Sequence, residues 1–251
     1  MKNILKKISM AVNAITKKST HPFTSAVILA AGTSTRMGGN SKQLIELEGK
    51  SVIAHTLSAF QECDLIDEIV VVANEAETSY YDDVFKKKYS LSKLSRVVTG
   101  GNTRAKSAEK GFSAISGKAD FVAVHDGARC LITPEKIASV VETAYRTGAA
   151  IAATKSSDTL KKVDENGKIS GTLDRSLVWR AQTPQVFKKN VYFVSLKTCK
   201  NKGASITDDS MMAEHAGFSV FCVETGSDNI KITTKADIPA ALGIMERRNR
   251  G

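Results

Sequence analysis

The sequence is poor in several features that would point to particular kinds of protein. Aromatic residues make up only 6% of the chain, and they are not interleaved with basic residues, so a nucleic-acid surface built on stacking is disfavoured. No apolar run approaches the length of a membrane span. The four cysteines have no C-x-x-C spacing, which argues against a zinc site and a disulfide framework. Free thiols in a reducing cytoplasm are the simple interpretation.

Acidic residues are missing from the start of the chain. The first is Glu46, and lysines and arginines alone carry charge before it. Residues 1–22 are therefore interpreted as an appended basic, amphipathic leader without a signal-peptide pattern. We favour a helix docked on its own domain or a disordered segment; contact with a membrane surface or a partner is the less favoured alternative. Residues 23–251 then form one domain.

The most informative segment is 26–43. An apolar run at 26–29 has the character of a buried strand, and small residues follow it at 30–32. The loop after them contains Arg36 and Lys42 and no acidic residue. Small residues let backbone N–H groups approach a ligand, and cations neutralise phosphate charge. The spacing is neither a Walker A loop nor G-x-G-x-x-G, so the segment predicts a nucleoside triphosphate site of another kind.

Strand and helix patterns alternate along most of the chain. The predicted strands are 26–29, 69–73, 96–99, 121–125 and 150–154, and the predicted helices are 52–60, 103–115 and 134–147, the last with Thr133 as cap and Gly148 as stop. This alternation predicts an α/β fold with a Rossmann-like, mainly parallel sheet and helices on both faces. Ligands of such sheets bind beyond the carboxyl ends of the strands, where Arg36, Lys42 and Asp126 would lie.

Residues 155–187 interrupt the alternation. Two extended runs flank Asn166 and Gly167, which is a strong hairpin signal. An isolated two-stranded ribbon is only marginally stable, so we expect a protruding β-hairpin arm that packs on another subunit.

Several motifs, in this order, resemble the 2-C-methyl-D-erythritol 4-phosphate cytidylyltransferase family of the nonmevalonate isoprenoid pathway. They are the loop at 30–43 and the segments 100–107, 124–129, 158–159, 173–175, 183–185, 206–209 and 228–231. The resemblance extends from about residue 24 to the C-terminus. It implies transfer of CMP from CTP to a polyol phosphate with release of pyrophosphate, with Mg²⁺ as the metal, by a homodimer whose arms clasp each other.

The resemblance also implies roles for individual residues. Arg36, Lys42 and Lys231 are expected to be catalytic, because they neutralise charge at the triphosphate. Residues expected to bind the nucleotide are Ala30, Ala31, Gly32, Gly100, Gly101, Ser107 and Asp126. Residues expected to bind the polyol phosphate are Asp126, Arg129, Thr159, Arg175 and Thr183. Thr159 and Arg175 would reach into the neighbouring subunit's site. Asp126 and Asp228 are the expected metal neighbours, and His125 is expected to be a structural hydrogen-bonding residue.

Other readings stay open at this point. Ser34, Ser41 and Cys130 depart from the family's usual residues, but none removes a charged group. The nearest alternative is a ribitol 5-phosphate cytidylyltransferase, which differs only in the acceptor pocket. A non-catalytic nucleotide-binding module or a membrane-surface module is less favoured, because neither needs cations directed at a leaving pyrophosphate. A cytoplasmic enzyme that binds no nucleic acid is the preferred interpretation.

Overall fold

The structure, a computed structural model, describes residues 21–32, 41–202 and 206–250. The predicted leader up to residue 20 and the loop residues Ser34 and Arg36 lie outside the described residues.

The strands of the described residues are β1 Thr24–Leu29, β2 Glu46–Leu47, β3 Lys50–Ser51, β4 Glu68–Ala73, β5 Leu94–Thr99, β6 Phe121–Asp126, β7 Ala149–Lys155, β8 Lys161–Val163, β9 Ile169–Thr172, β10 Trp179–Lys188 and β11 Phe221–Glu224. Seven of them form one sheet in the order β11-β7-β10-β6-β1-β4-β5, and the others form two small two-stranded sheets. Neighbouring strands of the large sheet are parallel except around β10, which runs antiparallel to both β6 and β7. The mainly parallel sheet is thus confirmed.

Helices cover both faces of this sheet, as predicted. They are α1 Val52–Glu62, α2 Arg104–Ala114, α3 Pro134–Thr147, α4 Lys189–Lys202, α5 Asp209–His215 and α6 Asp237–Arg250, with shorter helical turns at Lys42–Leu44, Glu75–Glu77, Tyr80–Phe85, Lys86–Lys88 and Arg175–Leu177. Alternate residues of β1 point to opposite faces: Ile28 packs in the apolar cluster with α1 and α3, and Val27 in the cluster with α2, α4 and α5. Burial on both faces explains the continuous apolar runs in the sequence.

The ends of α3 follow the predicted signals. The Thr133 hydroxyl accepts a hydrogen bond from the backbone N–H of Lys136, and Pro134 occupies the first turn, where its missing N–H costs nothing. Gly148 ends the helix with a φ of 88°, a left-handed conformation that favours glycine.

A β-hairpin lies within the segment predicted to form the arm, but it is shorter than expected. Strands β8 and β9 form a separate antiparallel hairpin whose turn contains Gly167 at a φ of 81°. From Trp179 onward the chain is already in β10, paired with β6 and β7 in the centre of the sheet. The upper boundary near residue 187 was therefore wrong. The remaining arm exposes apolar side chains, among them Ile169 (59% exposed) and Leu177 (80% exposed).

Candidate active site

A cavity of about 320 Å³ opens at the carboxyl ends of β1, β4 and β6. Leu29 and Asp126 are the last residues of β1 and β6, and Asn74 follows directly after β4. Because these strands are parallel, their ends meet at one edge of the sheet, which is where ligands of such folds bind. The residues that line the cavity are Leu29, Ala31, Gly32, Lys42, Gln43, Asn74, Gly101, Asn102, Thr103, Arg104, Ser107, Asp126, Ala128 and Lys231.

Seven of the residues predicted from the sequence are brought together here. They are Ala31, Gly32, Lys42, Gly101, Ser107, Asp126 and Lys231. Lys42 begins the helical turn Lys42–Leu44, and Lys231 lies far along the chain beyond β11. Two predicted cations and the predicted carboxylate therefore line one cavity.

Small residues shape the wall beside α2. A Cβ added at Gly100 would lie 2.3 Å from the Cβ of Ala31 and 2.9 Å from Oγ of Ser107, distances that rule out a side chain there without rearrangement. The N–H of Gly101 donates to Oγ of Ser107 over 3.0 Å. Gly100 thus acts by allowing close packing, and Ala30 lies buried behind the wall with its N–H donating to the carbonyl of Val72 over 2.7 Å.

The carboxylate of Asp126 lies among three positively charged side chains. Lys231 Nζ donates to its Oδ2 over 2.8 Å and Arg104 Nε to its Oδ1 over 3.2 Å, and Nε of Arg129 lies 3.8 Å from Oδ2. Burial alone would raise the pKa of Asp126, but the charges of Arg104 and Lys231 outweigh it and hold the pKa well below its usual range. The carboxylate is therefore ionised at any physiological pH.

A chain of hydrogen bonds supports Asp126 from behind. Its backbone N–H donates to Oγ1 of Thr183 over 3.0 Å, and that hydroxyl lies 3.1 Å from Nδ1 of His125. Nε2 of His125 lies 3.3 Å from the carbonyl of Arg129. Burial lowers the pKa of His125 to about 3, so the neutral ring, with Nδ1 accepting and Nε2 donating, fits both contacts. His125 therefore holds the strand end, in keeping with its expected structural role, and Thr183 is buried beside it instead of lining the cavity.

A second support fixes the segment that carries Lys231. The side-chain amide of Asn229 donates to Oε1 of Gln182 and to the carbonyl of Thr183, each over 2.9 Å. Nη1 of Arg129 donates to the carbonyl of Asn229 over 2.7 Å. Arg129 thus lies beside the cavity and ties the Lys231 segment to the end of β6.

Three further predicted residues lie away from the cavity and from the residues packed directly behind it. Asp228 instead has Arg247 at 2.8 Å and Arg248 at 3.7 Å from its carboxylate oxygens. Thr159 and Arg175 are exposed, Arg175 on the arm, where its Nη1 donates to the carbonyl of Ser157 over 3.4 Å. The assignment of Thr159 and Arg175 requires a neighbouring subunit and stays a prediction, as does that of Asp228 as a metal neighbour.

Sequence reasoning gave no role to Arg104, although it lies inside the motif at 100–107. Its guanidinium bridges Asp126 and Asp209, with Nη1 donating to Oδ2 of Asp209 over 2.7 Å. Burial would lower the pKa of Arg104, but these two carboxylates raise it. Asp209 belongs to the motif at 206–209. The sequence therefore contained one clue to this pair: the motifs at 100–107 and 206–209 each carry an ionisable residue to which no partner was assigned.

The cavity offers few side-chain oxygen atoms that could coordinate a metal ion. Within the described ranges, no group of three or more histidine, cysteine or acidic side chains is arranged to hold a metal ion. Asp126 is the acidic side chain in the cavity lining. One carboxylate fits Mg²⁺ in the mode in which substrate phosphates and water supply most of the oxygen ligands.

An enzyme that cleaves a nucleoside triphosphate needs fixed cations where the phosphates lie. In this chain such cations lie at the carboxyl ends of the parallel strands. The chain is an α/β nucleotidyltransferase. Within that class, the chain belongs to the 2-C-methyl-D-erythritol 4-phosphate cytidylyltransferase family, whose family model matches residues 24–247.

Individual relatives agree with this assignment. A 2-C-methyl-D-erythritol 4-phosphate cytidylyltransferase of Alkaliphilus metalliredigens is 38% identical over 226 residues, which cover 90% of this chain and 94% of the relative. That of Bacillus licheniformis is 40% identical over 225 residues, covering 89% and 96%.

Solved structures show the same fold. The 4-diphosphocytidyl-2C-methyl-D-erythritol synthase of Anaerococcus prevotii superposes with a TM-score of 0.80 at 31% identity, covering 90% of this chain and 99% of that one. The Thermus thermophilus cytidylyltransferase gives a TM-score of 0.73 at 26% identity, covering 89% of this chain and 99% of that one.

Across the described part of this chain, none of the helices combines the length and apolar character that crossing a membrane requires.

Proposed function

We propose that this protein transfers CMP from CTP to 2-C-methyl-D-erythritol 4-phosphate and releases pyrophosphate. The single observation that carries the proposal is the meeting of Lys42, Lys231 and Asp126 in one cavity at the strand ends. Family membership supplies the nucleotide and the acceptor, because the family model and the relatives named above share that activity in their descriptions.

The chemistry needs alignment and positive charge more than it needs a base. A phosphate oxygen of the acceptor attacks the α-phosphorus of CTP, a new P–O bond forms, and the bond to the β-phosphate breaks with its electron pair leaving on pyrophosphate. The nucleophile is already ionised, so no proton has to be removed, and the buried, neutral His125 fits this requirement. Lys42 and Lys231 would neutralise charge on the phosphates, as would Arg36.

The nucleotide would lie against the small-residue wall. Ala31, Gly32 and Gly101 leave room for backbone N–H groups to approach the ligand, and the hydroxyl of Ser107 is held beside Gly101. A pocket that hydrogen-bonds the amine of cytosine rejects uracil, because its polar groups would be left unpaired. Asp126 would hold a hydroxyl of the ligand or a Mg²⁺ ion. Bound Mg²⁺ would neutralise phosphate charge in such a site.

The acceptor site would be completed by a second copy of the chain. The arm exposes Val163, Ile169 and Leu177, and a two-stranded ribbon with exposed apolar side chains is stabilised by packing on a partner. Arg175 and Thr159 would then bind the acceptor phosphate of the neighbouring subunit, beside Arg129.

We further propose a cytoplasmic location, which suits the four free thiols, three of them buried.

The test is a paired acceptor assay. Purified protein with CTP and Mg²⁺ is given either 2-C-methyl-D-erythritol 4-phosphate or ribitol 5-phosphate, and pyrophosphate release is measured. Release with the first acceptor and not the second is expected. Preference for ribitol 5-phosphate would transfer the assignment to the alternative family, and tight CTP binding with no turnover for either acceptor would contradict an enzymatic role.

A further inference from the structure

We infer that Tyr192 and Asp209 are positioning residues of this active site, acting through Arg104 on Asp126. The inference deepens the proposed function and rests on it for its kinetic tests. Neither Tyr192 nor Asp209 lines the cavity, so neither is assigned contact with the substrates.

The first step is the bridge made by Arg104. Nε of this residue donates to Asp126 over 3.2 Å, and Nη1 donates to Asp209 over 2.7 Å. A guanidinium is planar and its N–H directions are fixed relative to each other. When Asp209 holds one part of the plane, the direction of the Nε–H bond toward Asp126 is fixed as well.

The second step is the anchoring of Asp209. Its side chain is 5% exposed, and its Oδ1 accepts a hydrogen bond from the Tyr192 hydroxyl over 2.8 Å. Tyr192 is fully buried, with ring centroids 4.9 Å from Phe112 and 5.5 Å from Phe187. Each carboxylate oxygen of Asp209 thus has one donor, and the donor on Oδ1 is a fully buried tyrosine packed between Phe112 and Phe187.

The third step is the balance of charge at Asp126. Lys231 and Arg129 already lie near this carboxylate, so its neutralisation does not depend on Arg104 alone. What Arg104 adds is a second contact on the other oxygen, from a group that is itself held in place. The chain Tyr192–Asp209–Arg104–Asp126 therefore fixes the orientation of the carboxylate while Lys231 remains available to exchange partners.

Tyr192→Phe tests the inference, because it removes one hydroxyl and changes neither the ring packing nor the charge. We expect kcat to fall about tenfold with little change in KM, since small misplacements of reacting groups are costly. The matched control is Tyr145→Phe, whose hydroxyl bonds Thr24 and the carbonyl of Pro22 at the opposite edge of the sheet. This control should lose stability in the same way and keep the wild-type kcat.

Asp209→Asn separates positioning from simple electrostatics. Loss of a negative charge near a triphosphate would by Coulomb's law tighten CTP binding, whereas loss of orientation should weaken it severalfold in calorimetric titrations. Arg104→Lys keeps the charge but cannot bridge two carboxylates in one plane, and should also lower kcat. Wild-type kcat and KM in Tyr192→Phe and Asp209→Asn, with only their melting temperatures lowered, would overturn the inference and leave a structural role. An equal loss of kcat in Tyr145→Phe would overturn it too.

A ligand-free measurement keeps the inference testable if the proposed function fails. The Nε–H resonance of Arg104, assigned by its absence in Arg104→Lys, should be sharp and protected from exchange in the wild type and broadened in Tyr192→Phe. An unchanged resonance in that variant would contradict the inference even if no polyol phosphate is turned over. Absence of turnover in the wild type would count against the proposed function alone.

Discussion

The ammonium of Lys231 lies 2.8 Å from a carboxylate oxygen of Asp126. The two residues are 105 positions apart in the chain, and Lys231 keeps 34% of its side chain exposed at the cavity. A partly exposed lysine can leave one anion for another, so we interpret this pair as the arrangement that a phosphate of the incoming nucleotide replaces.

Lys231→Met should therefore impair catalysis while leaving the fold intact. The substitution keeps most of the side-chain volume and removes the charge that would meet the phosphates, so kcat/KM should fall on the order of 10²-fold, as for loss of one preorganised contact. Pyrophosphate release under steady-state conditions measures it. The control is Lys235→Met, an exposed lysine four residues further on, and equal activities of the two variants would contradict the assignment.

Lys42→Ala should reduce kcat on the order of 10²–10³-fold, because the remaining cations cannot replace a charge fixed at the phosphates. Lys42 lines the cavity, whereas Lys118 is exposed just before β6, at the opposite edge of the sheet. Lys118→Ala should behave as the wild type. Wild-type turnover in Lys42→Ala would remove this residue from the catalytic set.

Arg175→Ala should raise KM for the polyol phosphate much more than KM for CTP, because the arm is proposed to reach the acceptor site of the neighbouring subunit. Kinetic titration of each substrate at saturating levels of the other measures this. A larger effect on KM for CTP would contradict the placement of Arg175.

Mixed dimers test whether Arg175 acts on the neighbouring subunit. Co-production of Lys42→Ala chains with Arg175→Ala chains gives hybrid dimers in which one site has an intact Lys42 and an intact neighbouring arm. At an acceptor concentration well below the raised KM of Arg175→Ala, random pairing should then restore about a quarter of wild-type activity, since half of the dimers of a twofold assembly are hybrids with one intact site. Activity no higher than the mean of the two parent variants would show that Arg175 acts within its own subunit.

The fold was predictable where local sequence determined it. Strands buried on both faces leave continuous apolar runs, and Asp126 and Lys42 could be placed at one sheet edge because both follow such strands. Strand β10 was missed because Gln182, Thr183 and Gln185 are buried polar residues. They are accommodated by specific partners, such as Thr225 and Asn229 on Oε1 of Gln182, and no periodicity reveals such partners.

The candidate site could be predicted only in part, because the contacts between its residues leave no local pattern in the sequence. The motifs identified the ionisable residues, but the contact of Arg104 with Asp209 joins residues 105 positions apart. The pairing of Asp228 with Arg247 likewise depends on where α6 packs. Partners of this kind are set by tertiary packing, and a pattern of neighbouring residues carries no information about them.

His125 should make the protein less stable as the pH falls. Burial lowers its pKa to about 3; the charge of Asp126 opposes this shift, and those of Arg129 and Lys231 favour it. In the unfolded chain the pKa is about 6.5. Between these values the unfolded state binds a proton that the native state does not, so the free energy of unfolding decreases with decreasing pH. From pH 7 to pH 5 this one group should cost about 2 kcal/mol.

Urea unfolding at pH 7 and pH 5 measures this change. The wild type should lose more stability over the interval than His125→Gln, which cannot take up the proton, and the difference between the two losses is the contribution of His125. Any general cost of the substitution cancels, because it is present at both pH values. The exposed His215 in α5 provides the matched variant, His215→Gln. Equal losses in the wild type and His125→Gln would mean that the native ring can be protonated in place, with Nδ1 donating to Oγ1 of Thr183 instead of accepting from it.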